Sequence, residues 1–250
     1  MISLSHVPYP QTIRHLRLGV LLATVFFALL NRLYMQGTVG FSPFILLLSP
    51  IPSWAACWQV IFAPLTIPYS GIGLEMVFDL FLLNFFLVPV ASFVFSFLER
   101  KAFIRFLIAL VAIGTAVFWI ANTFFIYAFP CSLFSSLALA LIVFWFLLHK
   151  EGGATIFVAI PISRWWVLFI ACLIIFPAPL YSNEWGKVLM TCSMSAASYL
   201  FGIAHCRLRS HILYLTSLEQ WLDRSYHTCL RLFEWHIASH IRRLFFKRGK

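Results

Sequence analysis

Glu75 and Asp79 lie four residues apart inside a long apolar run, and Asn84 follows five residues later. A four-residue spacing puts both carboxylates on one face of a helix. An acid within a membrane helix is costly unless it faces a water-filled cavity or a partner. The pair therefore predicts a hydrated pocket open to the outer side, or pairing with a cation such as Arg32 or Lys187. The plainer alternative sets Glu75 at the interface and lets Asp79 bond neighbouring helices. Histidine is distributed quite differently. The eight imidazoles stand at positions 6, 15, 149, 205, 211, 227, 236 and 240, none deep inside a segment apolar enough to span a bilayer. Activating a hydroxyl for nucleophilic attack needs a base beside it. A membrane-buried serine in this chain has no imidazole of that kind.

The six cysteines (57, 131, 172, 192, 206 and 229) form no Cys-x-x-Cys pair and no zinc spacing with histidine. Cys172 and Cys192 fall in apolar stretches, where a thiol acts as a small apolar group. Cys57 and Cys131 fall on one side of the membrane, which allows a disulfide, and Cys206 and Cys229 lie beside it, where acylation is chemically open. His236 and His240 are one helical turn apart but lack the further ligands a metal requires. No motif demands a cofactor or a metal ion.

The elements that must position these groups are membrane helices. Hydrophobic residues make up 62% of the chain and charged residues 10%, against about a quarter charged in soluble domains. Segments of about 20 apolar residues place six spans, at 18–36, 73–97, 104–126, 132–149, 165–181 and 187–204. Arg14 and Arg17 ahead of the first span look like a signal peptide, but Asn31-Arg32-Leu33 follows with no small-x-small cleavage site, which predicts a retained span. Sixteen of the eighteen Lys and Arg then fall on one side, opposed only by Arg32 and Lys187, so both termini are expected in the cytoplasm. Residues 37–72 form an uncharged outer loop rich in aromatics and proline, with Trp54 and Trp58 at headgroup level. Residues 152–163 are too short to span and predict an inner-surface strand or turn. Pro89 is expected to kink the second span, and Asn122 and Thr123 to bond across helices.

From Ser210 the apolar residues recur at helical spacing, through Tyr214, Leu218, Trp221, Leu222 and Tyr226 to Leu244. The basic set comprises Arg207, Arg209, Arg224, Arg231, Arg242, Arg243, Lys247 and Arg248. With a net charge of +10 and nine basic residues after position 205, this predicts a basic amphipathic helix, or two, on an anionic leaflet, and no nucleic-acid partner. Packing on a partner protein is the alternative.

The order of parts resembles the rhomboid-like superfamily, which includes the rhomboid proteases and the non-proteolytic derlins. Trp58-Gln59-Val60-Ile61-Phe62-Ala63-Pro64 looks like that family's stretch before the second span. Leu98-Glu99-Arg100 with Phe103 and Phe106 looks like its turn before the third. Pro130-Cys131-Ser132-Leu133 occupies the place of Gly-x-Ser-Gly at the head of the fourth, and Ala159-Ile160-Pro161-Ile162 matches a stretch before the fifth. The resemblance covers roughly residues 10–204 and implies a six-span bundle with Ser132 at the nucleophile position. The departures bear on chemistry. Gln59 stands for arginine, Pro130 and Leu133 replace the glycines, and Thr191, Met194 and Ser198 fill the histidine and glycine positions of the last span. What survives there is small-x-x-x-small packing, Thr191/Ser195 and Ser198/Gly202.

Ser132 is therefore expected to cap its helix rather than to attack a peptide bond. The reading is an all-α bundle: a cytoplasmic N-terminus at 1–17, a six-span domain at 18–204 and a basic tail at 205–250. It has no peptidase activity and sits in the cell (inner) membrane. Its expected task is to recognise or hold transmembrane segments of other proteins, with Glu75, Asp79, Asn84, Ser132 and Thr191 as candidate cavity residues. Membrane lipids are the other partners. A transporter or channel using Glu75 and Asp79, or an active serine protease with an unrecognised base, are the alternatives.

Overall fold

The computed structural model describes residues 11–37, 56–62, 88–124, 132–148, 154–157, 160–181, 183–209, 212, 215–229 and 231. The chain divides into two compact units, Met1–Ser198 and Tyr199–Lys250.

The first unit opens with α1, Gln11–Met35. Val20, Thr24, Phe27, Ala28 and Asn31 recur at helical spacing on its buried face, while Leu18, Leu22, Val25, Phe26 and Leu29 on the other face are exposed. A helix apolar all round suits a lipid-exposed position, not water. Its end has a clear cause. Gly37 takes a φ of +72° and its N–H bonds the Tyr34 carbonyl at 3.0 Å, the left-handed stop that glycine permits without strain. Arg32 in the last turn also complements the helix dipole. The short α2, Ala56–Phe62, exposes Trp58 and Ile61 and buries Gln59. An exposed indole there suits an interfacial anchor.

Next, α3 runs from Val88 to Phe124 with a break at Glu99, where φ is 62° and ψ 168°. That conformation belongs essentially to glycine, and it splits α3 into an 88–98 arm and a 100–124 arm. Glu99, Arg100 and Lys101 cluster at the break. Pro89 is the second described residue of α3; the residues before Val88, on which its effect on the expected span depends, fall outside the described ones.

α4, Phe134–Leu148, is the centre of this unit, with ten of its 15 residues buried. At 1.5 Å per residue it is only about 22 Å long, short of the roughly 30 Å hydrocarbon layer. Phe144 packs on Phe97 and Phe106 of α3. Antiparallel strands β1, Ala154–Phe157, and β2, Ile160–Ile162, follow in the stretch expected as a strand or turn. α5, Arg164–Ile175, begins with Arg164, whose guanidinium lies 4.6 Å from the Phe146 ring centroid and donates to the Phe146 carbonyl at 3.4 Å. It thereby serves one of the carbonyls left unpaired at the end of α4. Only Val167 and Ala171 of α5 are buried, and Trp166, Phe169, Leu173 and Ile174 face outward. After Phe176, α6, Pro177–Tyr181, starts on a proline suited to a first helical position.

The last span is α7, Trp185–Leu200, continued by a π-helical turn at Phe201–His205. Its contacts establish direction. Gly114 and Phe118 of α3 meet Met194 and Gly186 of α7, so the 100–124 arm and α7 run antiparallel. Ser136 and Ala140 of α4 meet Thr191 and Ser198, so α4 and α7 run parallel.

Four described stretches are long and apolar enough to cross a membrane: Ile13–Met35, Val88–Phe124, Arg164–Tyr181 and Trp185–His205. The sequence predicts six. Among the described residues the expected fourth span corresponds to α4, which falls short in length, and most of the expected second span, 73–97, lies outside the described residues. The protein is thus a helical membrane protein with one short hairpin.

In the second unit the π turn ends where Arg207 adopts a φ of 55° and the Leu208 N–H returns to the Gly202 carbonyl at 2.9 Å. A helix over 216–229, labelled α8, follows.

Candidate functional site

The polar groups of the first unit converge where α4, α7 and the 100–124 arm of α3 meet. Ser132 stands just ahead of α4, 7% exposed, and its Oγ accepts the Phe134 N–H at 3.0 Å. This local turn serves one of the four N–H groups that a helix start leaves free. One turn further on, Ser136 is fully buried and its hydroxyl lies 2.7 Å from that of Thr191. Thr191 donates its single hydrogen to the Lys187 carbonyl at 2.8 Å, so Ser136 must be the donor across the pair. Ser198 donates to the Ala140 carbonyl at 2.6 Å, two turns deeper.

Small residues make this approach possible. A Cβ on Gly114 would overlap the sulfur of Met194, and one on Gly186 would come within 2.6 Å of Asn122 Oδ1. Membrane helices lack a hydrophobic drive toward one another, so close backbone approach and hydrogen bonds hold them. The small-residue pattern of the last span is realised through Thr191 and Ser198; Ser195 Oγ is buried without a partner. The cross-helix bonds expected of Asn122 and Thr123 are not made. Thr123 donates within its own helix to the Ile120 carbonyl at 2.6 Å, and both amide atoms of Asn122 are buried unpaired. The hydroxyls of Thr24 and Thr115 are likewise buried without partners.

The structure brings Ser136, one turn after Ser132, against Thr191 of α7, a juxtaposition that periodicity could not reveal across 55 residues. Glu75, Asp79, Asn84, Cys131 and the start of the second span lie outside the described residues. Of the cations considered as their partners, Lys187 is paired with Glu184 at 3.7 Å, and Arg32 sits exposed in the last turn of α1. No group of three metal-ligating side chains occurs among the described residues. His15 and His205 reach only the ends of candidate spans, and His205 is exposed and stacked on Phe201.

In the second unit Arg209, one of the basic set, binds Asp223 at 2.9 Å, and His227 approaches the same carboxylate at 3.4 Å. Glu219 is 1% exposed and accepts the Tyr199 hydroxyl at 2.6 Å. The pairing was invisible beforehand because it depends on a tyrosine twenty residues upstream. Arg242, Arg243, Lys247 and Arg248 lie outside the described residues, while Arg207, Arg224 and Arg231 are exposed. The chain matches no family, no curated protein and no solved structure in comparisons with known proteins.

Proposed function

We propose that the protein is a six-span, rhomboid-like membrane protein without peptidase activity, which recognises or holds transmembrane segments of other proteins. It resides in the cell membrane with both termini cytoplasmic. One observation carries the reading: the hydroxyls at the helix junction are committed to structure. Ser132 serves the start of α4, Ser136 gives its hydrogen to Thr191, and the sequence places no histidine deep inside an expected span. A hydroxyl without a base is not a nucleophile at neutral pH. What the junction retains is polarity. Asn122, on a part-exposed stretch of its helix, keeps a donor and an acceptor unpaired. The amide lies against Gly186 of α7, so an incoming polar segment that parts α3 from α7 would satisfy both atoms, and leaving them unmet costs about 1–3 kcal/mol.

The test is in-membrane crosslinking from the Asp79 face, followed by identification of the captured proteins. Capture of transmembrane proteins that is lost in Asp79→Leu, at normal expression, supports recognition. Capture unchanged by that substitution removes the acidic face from the proposal. Cleavage of a transmembrane substrate in proteoliposomes that disappears in Ser132→Ala would overturn the whole reading.

A further inference from the structure

The two carboxylates of α8 point away from its tryptophan. Glu219 and Asp223 occupy the face turned toward Tyr199 and Arg209, where each is bound. Tyr226, seven residues after Glu219, shares the carboxylate side, and the neighbouring face carries Leu218 and Trp221, 48% and 61% exposed. Arg224 and Arg231 flank the Trp221 edge of this face, exposed and with no acidic partner among the described residues. A solvated helix turns its acids outward and its leucine and tryptophan inward. Here the acids are withdrawn, and Leu218, Trp221, Arg224 and Arg231 stand outward among the neutral polar residues Thr216, Ser217, Gln220 and Thr228.

Position narrows the occupant. Tyr199, the residue that holds Glu219, lies six residues from the end of the Trp185–His205 stretch, about 9 Å of helix. The linker 206–215 is ten residues long and reaches at most about 35 Å when extended. The helix is therefore tied both covalently and by a part-buried hydrogen bond to the final turns of a candidate membrane span. The nearest apolar medium with negative charge at its edge is the bilayer that the span crosses. An indole ring favours that boundary, and arginine stems can lie along it while their guanidinium groups meet phosphate.

We propose that this face of α8 seats on the anionic headgroup layer of the membrane crossed by its own last span. Withdrawal of Glu219 and Asp223 is part of the device, since an outward carboxylate would be repelled by the same layer. Docking holds whatever segments the first unit recognises.

The test places the full-length protein in nanodiscs of phosphatidylcholine, with or without phosphatidylglycerol, and measures hydroxyl-radical oxidation of Trp221 by mass spectrometry. Oxidation should slow when the anionic lipid is present. Each arginine contributes roughly a fivefold bias at an anionic surface, so Arg224→Gln with Arg231→Gln should shift the docked-to-undocked ratio about thirtyfold toward exposure. Amide exchange over 216–229 checks that the helix persists in the variant, and the lipid dependence of the unaltered chain stands without it. Protection of Trp221 that is the same in both lipids overturns the proposal. If the ring is then oxidised freely the face is unoccupied, and if it is protected in both, a protein surface or a second copy covers it.

Discussion

A hydroxyl pair buried between two membrane helices is modest in energy but specific in register. Ser136 and Thr191 can bond only if α4 and α7 hold their present parallel alignment, because each hydroxyl has one hydrogen and Thr191 has already given its own to Lys187. Double-mutant cycles within membranes average about 0.6 kcal/mol per such bond and reach about 1.7. A cycle on Ser136→Ala and Thr191→Val, read by reversible unfolding in bicelles, should give a coupling in that range; additive losses would show that the two hydroxyls do not meet. Cys206, just past the last candidate span, gives a second prediction at this scale. Burial pushes its thiol up to about 11 from an ordinary value of 9.0. The folded chain thus holds this proton more tightly than the unfolded one, so the contribution to stability is complete below about pH 9 and is lost as pH rises toward 11. Thiolate is the reactive form, and about one thiol in a thousand is ionised at pH 8, so alkylation of Cys206 should be slow there and accelerate about tenfold per unit of pH until near 11. A rate that levels off above pH 9 would contradict the burial.

Among the elements, the contact of the 100–124 arm with α7 depends on two glycines rather than on bulk. Replacing Gly114 by valine drives two methyls toward Met194, a side chain fully buried and without room to withdraw. Overpacking of this kind costs about 1–3 kcal/mol. Gly114→Val should lower the thermal midpoint in detergent, whereas Gly19→Val, with no atoms within 4 Å of its Cβ position, should cost no more than its helix propensity; equal losses would show that the interface is looser than it looks. Element boundaries were largely legible in the sequence. The fifth and sixth expected spans, 165–181 and 187–204, fall within two residues of the helical stretches found, because lipid demands a nearly unbroken apolar run and Pro177 and Asn183 punctuate it. Two features were not legible, for definite reasons. Nothing local says that Glu99 takes a glycine conformation, since the charges Glu99-Arg100-Lys101 mark a turn but not its φ. The inward turn of Glu219 depends on Tyr199, and single-helix patterning assigns a carboxylate to the solvent face. Ser132 was the easier case, because the bond it makes spans two residues and belongs to the helix start itself.

For the molecule as a whole, direction is the property that joins charge to packing. The 100–124 arm begins beside Arg100, Lys101 and Arg105 and runs antiparallel to α7, while α4 runs parallel to α7. Three helices alternating in this way require residue 101 and the end of α7 on one side, and the head of α7 near Asn183 on the other. On the proposed topology, the Lys and Arg bias puts the first side in the cytoplasm. Single-cysteine reporters in a chain with its native cysteines replaced therefore give a sharp expectation. A membrane-impermeant maleimide should label Asn183→Cys in intact cells and Lys101→Cys only after permeabilisation. Labelling of both positions without permeabilisation, or of Lys101→Cys alone, would separate the packing from the topology and would withdraw the cytoplasmic leaflet from α8 as well, since that helix follows α7 by a short tether.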